Sequence, residues 1–184
     1  MKNLTTIIVF CLILFAGNIC AQKNKNTVTF SSEYSNLGSD CKTLKGGDGQ
    51  DDASDCKGVG GYRIRISPTA ASLFVSAETP DKKDSIQLAA QDFDFDQKAG
   101  KIEWRMVNGK PYAVILRVNV YEQPPQDLYY GKKTGEKLVV KGLKGFEYID
   151  FEVDAKTADA NVKARQMADT AYVKKMKITI NLKL

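Results

Sequence analysis

The stretch with the most chemical potential is Asp92-Phe93-Asp94-Phe95-Asp96, followed by Glu103. Counted from Asp92, the carboxylates fall at positions 1, 3, 5 and 12, the spacing at which a helix–loop–helix calcium loop sets its oxygen ligands. The rest of that pattern fails. Position 6 is Gln97 where the loop needs glycine, and position 8 is Ala99 where it takes a branched apolar residue. Strand alternation accounts for the same residues, with phenylalanines on one face and aspartates on the other. Three aspartates on one face repel one another and call for a cation or a row of lysines. Asp92, Asp94 and Asp96 are therefore the candidate Ca2+ ligands, subordinate to the strand reading, and no other cofactor is expected. A second acidic set, Asp48, Asp51, Asp52 and Asp55, has oxygen atoms in plenty but lacks the order of a binding loop, and reads as solvated turn.

What is missing constrains catalysis more than what is present. The chain has no histidine, which removes the commonest general base and the commonest zinc ligand. Ser39-Asp40-Cys41-Lys42 and Lys133-Thr134-Gly135 match two fragments of the penicillin-recognising enzymes, but the third fragment is absent and the chain is too short. An enzyme here would depend on carboxylates, lysine or tyrosine. Nothing singles out a carboxylate pair, so no catalytic residue is assigned.

For binding, the segment Pro124 to Gly135 stands out. It presents Leu128, Tyr129 and Tyr130 beside Lys132 and Lys133. Tyrosine supplies rigid amphipathic contact area at small entropic cost. The competing reading folds both tyrosines back over the end of a sheet.

The elements that must position these groups centre on Lys101 to Tyr121. Asn108-Gly109 is a strong hairpin signal. Ile102, Trp104 and Met106 alternate with Glu103 and Arg105, and Tyr112, Val114, Leu116, Val118 and Val120 form an apolar face. A two-residue loop would put the two dry faces on opposite sides, since a one-residue slip flips every side chain. A three-residue loop, Val107-Asn108-Gly109, sets Trp104 opposite Tyr112 and Ile102 opposite Val114, and is the expected register. Glu103 and Arg105 then share a solvated face with Arg117. Further strands are expected at 27–32, 62–67, 72–77, 91–96, 138–143, 146–153 and 177–184, with 85–90 divided between strand and helix. Pro124-Pro125 excludes an interior strand from the segment after Tyr121. Ala160, Ala164, Met167, Ala168 and Ala171 recur at helical spacing, predicting a helix from Asp159 to about Lys174 with a narrow small-residue face. The fold class is α+β: a mostly antiparallel sheet with one C-terminal helix packed on it, and Trp104 with residues 114–120 beneath that helix.

The N-terminus reads as a signal peptide, residues 1–21. Lys2 precedes an apolar run from Leu4 to Ala16, and Ile19-Cys20-Ala21 supplies a cleavage site. Lipid anchoring through Cys20 is the weaker reading, because bulky Ile19 stands where that processing wants a small residue. Without residues 1–21, 163 of the 184 residues remain, with 26 basic and 22 acidic side chains and a net charge of +4. That charge is too mild and too mixed for nucleic acid, and it permits weak attraction to an anionic envelope polymer. Residues 22–38 form an N-terminal strand and loop, and 39–184 the remainder of a single domain. Cys41 and Cys56, the two cysteines left, are expected to pair, as in other exported chains.

Cys56-Lys-Gly-Val-Gly-Gly-Tyr62, Ile102-Glu-Trp-Arg105, Asn108-Gly-Lys-Pro-Tyr-Ala-Val-Ile-Leu-Arg117 and Ala160-Asn-Val-Lys-Ala-Arg-Gln-Met-Ala-Asp169 together resemble a group of uncharacterised exported bacterial proteins. The resemblance implies a periplasmic or secreted setting and transfers no functional residue. The expectation is an exported, non-enzymatic protein that binds another protein or an anionic envelope polymer, with no nucleic acid partner and no transmembrane segment after the signal. The alternatives are a carboxylate-based hydrolase and an inhibitor of a secreted enzyme.

Overall fold

The computed structural model of the chain describes residues 28–47, 52–68, 73–89, 100–122 and 131–181. Along them run β1 (Phe30–Asn36), β2 (Cys41–Leu44), β3 (Ala53–Lys57), β4 (Arg63–Pro68), β5 (Leu73–Glu78), β6 (Ser85–Ala89), β7 (Lys101–Val107), β8 (Lys110–Tyr121), β9 (Lys133–Gly142), β10 (Asp150–Asp154) and α1 (Ala160–Asn181). The strands form two antiparallel five-stranded sheets, ordered β1-β7-β8-β9-β10 and β2-β3-β4-β5-β6. The α+β class holds, and a second sheet joins the expected one.

That second sheet changes what lies under the helix. The first sheet is the middle of three layers. Trp104, Met106, Val114, Leu116 and Val118 pack against Ile64, Ile66, Val75 and Leu88 of the second sheet. Ala160, Ala164 and Ala168 of α1 lie on the opposite face, over Tyr112, Ala113, Ile115, Leu138 and Val140. The indole is therefore buried between the sheets and does not lie beneath the helix. Because both faces of β8 are covered, Tyr112 to Leu116 is buried without alternation.

The central hairpin solves its parity problem differently from the sequence reading. Val107 pairs with Lys110 and Met106 with Pro111 across a two-residue turn, with Asn108 at φ 48° and Gly109 at φ 77°. The register then shifts between Arg105 and Met106, so that Trp104 faces Val114 and Ile102 faces Leu116. Tyr112 is the extra residue on β8. This bulge keeps Trp104 and the valines on one face, as the three-residue loop was meant to do, and turns Tyr112 to the other.

Two other elements differ from expectation. Residues 177–181 continue α1 instead of forming a strand. Lys174, Lys175, Met176 and Lys177 are good helix formers, and no glycine or proline intervenes to stop the helix. Residues 146–149 turn, and only Asp150–Asp154 is strand, because Gly145 at φ 88° sets a tight reversal. Cys41 and Cys56 sit directly opposite one another in a β2–β3 hairpin and form the disulfide. The glycine cluster that follows has a packing reason: a Cβ on Gly58 would lie 2.5 Å from the Tyr62 carbonyl oxygen and 2.8 Å from the Trp104 ring.

Candidate binding cavity

Two residues of β7 and two of α1 meet beside the site, and Glu103 and Arg165 are the two of them that line it. Glu103 and Arg105 stand two strand residues apart, about 7 Å, and Arg165 and Asp169 stand one helical turn apart, about 6 Å. The charges run in opposite order along the two elements, so both pairs close. Arg165 donates from Nε to Glu103 Oε1 at 2.6 Å and from Nη2 to Oε2 at 3.0 Å. Arg105 donates to Asp169 from Nη2 at 2.7 and 2.9 Å and from Nε at 3.1 Å. Ser32 donates to Glu103, and Arg105 also reaches the Ser31 carbonyl at 3.0 Å. Tyr112 donates its hydroxyl to Asp169. Burial, with that bond second, pushes the Tyr112 hydroxyl far above the ordinary phenol range.

Glu103 and Arg105 are 7% and 5% exposed, so they are not the solvated face the alternation suggested. The helix lies over them and supplies their counter-charges. Among the described residues no buried side-chain nitrogen or oxygen lacks a hydrogen-bond partner.

Beside the first turns of α1, a concavity of about 530 Å³ opens over the same sheet face. Ile115 and Leu138 give it an apolar floor, and Asn119 and Asn161 face it from β8 and α1. Its charged rim comes from four elements. Lys101 and Glu103 come from β7, Arg117 from β8, Lys133 and Glu136 from β9, and Arg165 from α1. Glu136 accepts from Lys133 at 2.8 Å and from Arg117 at 3.1 Å, and these two donors hold its carboxyl below the ordinary glutamate range. Lys101 makes no ion pair among the described residues. The rim thus holds four cations against two carboxylates. Tyr34, half exposed, closes one side and accepts from Arg165 Nη2 at 3.2 Å.

Of the residues singled out by sequence, Lys133 lines this cavity, and Arg117 and Glu103 meet there as expected. Lys132 closes the base of its loop, its carbonyl accepting from the Glu122 N–H at 3.0 Å. Leu128, Tyr129 and Tyr130 lie outside the described residues, as do the calcium candidates Asp92, Asp94 and Asp96 and the signal segment 1–21. In the cysteine loop, Asp52 is taken by Lys45 at 2.7 Å and Asp55 by Arg63 at 2.6 Å. Among the described residues no cluster of three or more His, Cys, Asp or Glu is placed to hold a metal ion. Sequence reasoning missed Tyr34, Lys101, Glu136, Asn161 and Arg165. A legible signal existed for Arg165 alone: a charged residue one turn before Asp169, beside the alanine stripe.

The fold and site define a class in structural terms: a pair of antiparallel sheets backed by one helix, with a cation-rich concavity where helix and sheet part. Compared with protein-family models, curated proteins and solved structures, the chain has no match. No helix among the described residues is long and apolar enough to cross a membrane.

Proposed function

We propose that this chain is an exported, non-catalytic binding protein whose cavity takes a segment of an anionic envelope polymer. The observation that carries the reading is the excess of cations around an apolar-floored concavity. Lys101 has no ion pair there, and Arg117 and Lys133 share one carboxylate. A carboxylate-bearing chain could add acceptors to these donors while its sugar rings lie on Ile115, Leu138 and Tyr34. Charged hydrogen bonds of this kind contribute roughly 1.5–3 kcal/mol each where water is excluded. The Cys41–Cys56 disulfide favours an oxidising compartment, in keeping with the signal-like N-terminus and with the resemblance to exported bacterial proteins.

The hydrolase reading needs a carboxyl group whose pKa is raised so that it can donate a proton. Glu136 is held in the opposite direction by Lys133 and Arg117, and Glu103 is engaged by Arg165 and Ser32. These facts favour binding over hydrolysis. The inhibitor reading depends on the loop before Lys133, most of which lies outside the described residues.

The test is calorimetric titration of the chain from Gln22 onward, disulfide intact, with polygalacturonate and with uncharged dextran at about 150 mM salt, where long-range attraction is screened. Binding to the first and not the second is expected, with at least a tenfold loss in Lys101→Glu and in Arg117→Glu. Equal binding by wild type and both variants, or no binding to polygalacturonate, overturns the proposal.

A further inference from the structure

Among the described residues, no strand pairs with the outer side of β10, the last strand of the first sheet. Ile149 accepts from the Gly142 N–H at 2.7 Å, and the Ala155 N–H donates to the Glu136 carbonyl at 3.0 Å. With Asp150 opposite Lys141 and Glu152 opposite Val139, the odd-numbered residues of β10 therefore turn their backbone groups to β9. The N–H and C=O of Asp150 and Glu152 point away from the sheet. β10 contains no proline, and its pairing with β9 has no register shift. Of the devices that usually blunt an edge, proline and a bulge are missing from it, and a row of charge is the one it carries.

The two faces of this edge differ. On the helix side, Phe151 and α1 form a groove of about 340 Å³, with Met167 and Ala171 on its floor and Lys163 and Lys174 at its margins. On the other side, Asp150, Glu152 and Asp154 stand in a row and are exposed. Their lysine partners, Lys141 for Asp150 and Lys137 for Glu152, come from β9, one strand further in. An added strand would meet the carboxylates first. A second copy of this edge would bring its own acidic row against them, where like charges directly opposite are destabilising.

We infer that β10 docks an extended segment of a partner protein in which apolar and basic residues alternate. The partner's backbone would pair with Asp150 and Glu152, its apolar side chains would enter the Phe151–Met167 groove, and its lysines or arginines would face the acidic row. Pairing gives affinity and the alternation gives specificity in this mode of recognition. The inference is independent of the cavity.

The probe is a fluorescein-labelled seven-residue peptide alternating valine and lysine, compared with the same residues in block order. Anisotropy should report binding of the alternating peptide only, and hydrogen exchange should slow at the Asp150 and Glu152 amides, which face outward in the free protein. Glu152→Pro removes an outward N–H and leaves the β9 ladder whole, so at least a tenfold loss of affinity is expected, whereas Lys101→Glu should bind as wild type does. Unchanged binding in Glu152→Pro, equal binding of the block peptide, unaltered exchange at both amides, or a stable dimer through this edge would each overturn the inference. The exchange measurement uses the wild-type protein and does not depend on the variant folding.

Discussion

Arg105 and Asp169 form a fork-to-fork pair between the middle sheet and the helix, with Nη2–Oδ2 at 2.7 Å and the arginine side chain 7% exposed. Besides Asp169, this deep guanidinium faces Glu103 at 3.9 Å, a carboxylate already held by Arg165. Removing one member of a buried pair typically costs about 3–5 kcal/mol, because an uncompensated charge stays behind. Asp169→Ala should therefore lose about that much in urea unfolding. Arg105→Met combined with Asp169→Ala should recover part of it, the rest being the Tyr112 hydroxyl left without its acceptor. If the double variant is as unstable as the single one, the pair is not what holds α1 to the sheet.

Tyr112 predicts the alkaline limb of stability. Its hydroxyl is held protonated in the folded state by burial and by Asp169. In the unfolded chain it ionises near pH 10. Above that pH the unfolded state has bound fewer protons, so stability falls as pH rises, by roughly 1.4 kcal/mol per pH unit for one group. Tyr112→Phe should be less stable at neutral pH, for loss of a hydrogen bond, yet show a shallower fall between pH 10 and 11. Parallel slopes for the two proteins would contradict this.

Glu136 makes a prediction of the opposite sign for ligand binding. Lys133 and Arg117 hold its carboxyl low, so it stays ionised until the pH drops below the ordinary carboxylate range. Its ion pairs are lost as the pH falls through that lowered value. Neutralising it adds to the cation excess of the cavity. Dextran sulfate, whose charge does not titrate there, should bind more tightly only at the acid end, and Glu136→Gln should reduce this pH dependence.

Gly58 has no room for a methyl group. Its Cβ would meet backbone oxygen and the indole at once, at 2.5 and 2.8 Å, whereas at Gly47 nothing lies within 4 Å. Overpacking a core site costs typically 1–3 kcal/mol. Gly58→Ala should fall in that range or beyond it and alter Trp104 fluorescence, and Gly47→Ala should be close to neutral. Similar melting temperatures for the two would show that the Gly58 turn can relax.

Cys41 and Cys56 close a loop with a sequence separation of 15, for which the chain-entropy argument gives about 3 kcal/mol. The double serine variant should lose about that amount, and reductant should bring the wild type to the same stability. A loss below about 1 kcal/mol would mean that the β2–β3 hairpin largely supports itself.

Much of the fold was legible because strand and helix periods are local properties. The alternation in Ile102 to Met106 marked β7, and Asn108-Gly109 marked its turn. The spacing of Ala160, Ala164 and Ala168 fixed both the helix and the face it buries. The cysteine pairing followed from their number once the first two residues of that type were assigned to the signal segment. What misled was reading only one face of β8. Tyr-Ala-Val-Ile-Leu, residues 112–116, is apolar at both parities, which is the mark of a strand covered on two sides. Read that way, it asks for a second sheet and moves Trp104 away from the helix.

The cavity was less legible, since its lining comes from positions 34 to 165 and no local pattern joins them. Glu103 and Arg105 looked wet because charge normally seeks water. Only the arrival of Arg165 and Asp169 at matching heights made their burial affordable. The sequence by itself determined the α+β class, the place of the Asn108-Gly109 reversal, the start of the helix and the disulfide, each of which depends on neighbours or on a count. The tertiary structure alone decided which face of the sheet is dry, where the bulge restores parity, and which cations share a hollow, because these depend on pairings between residues far apart in the chain.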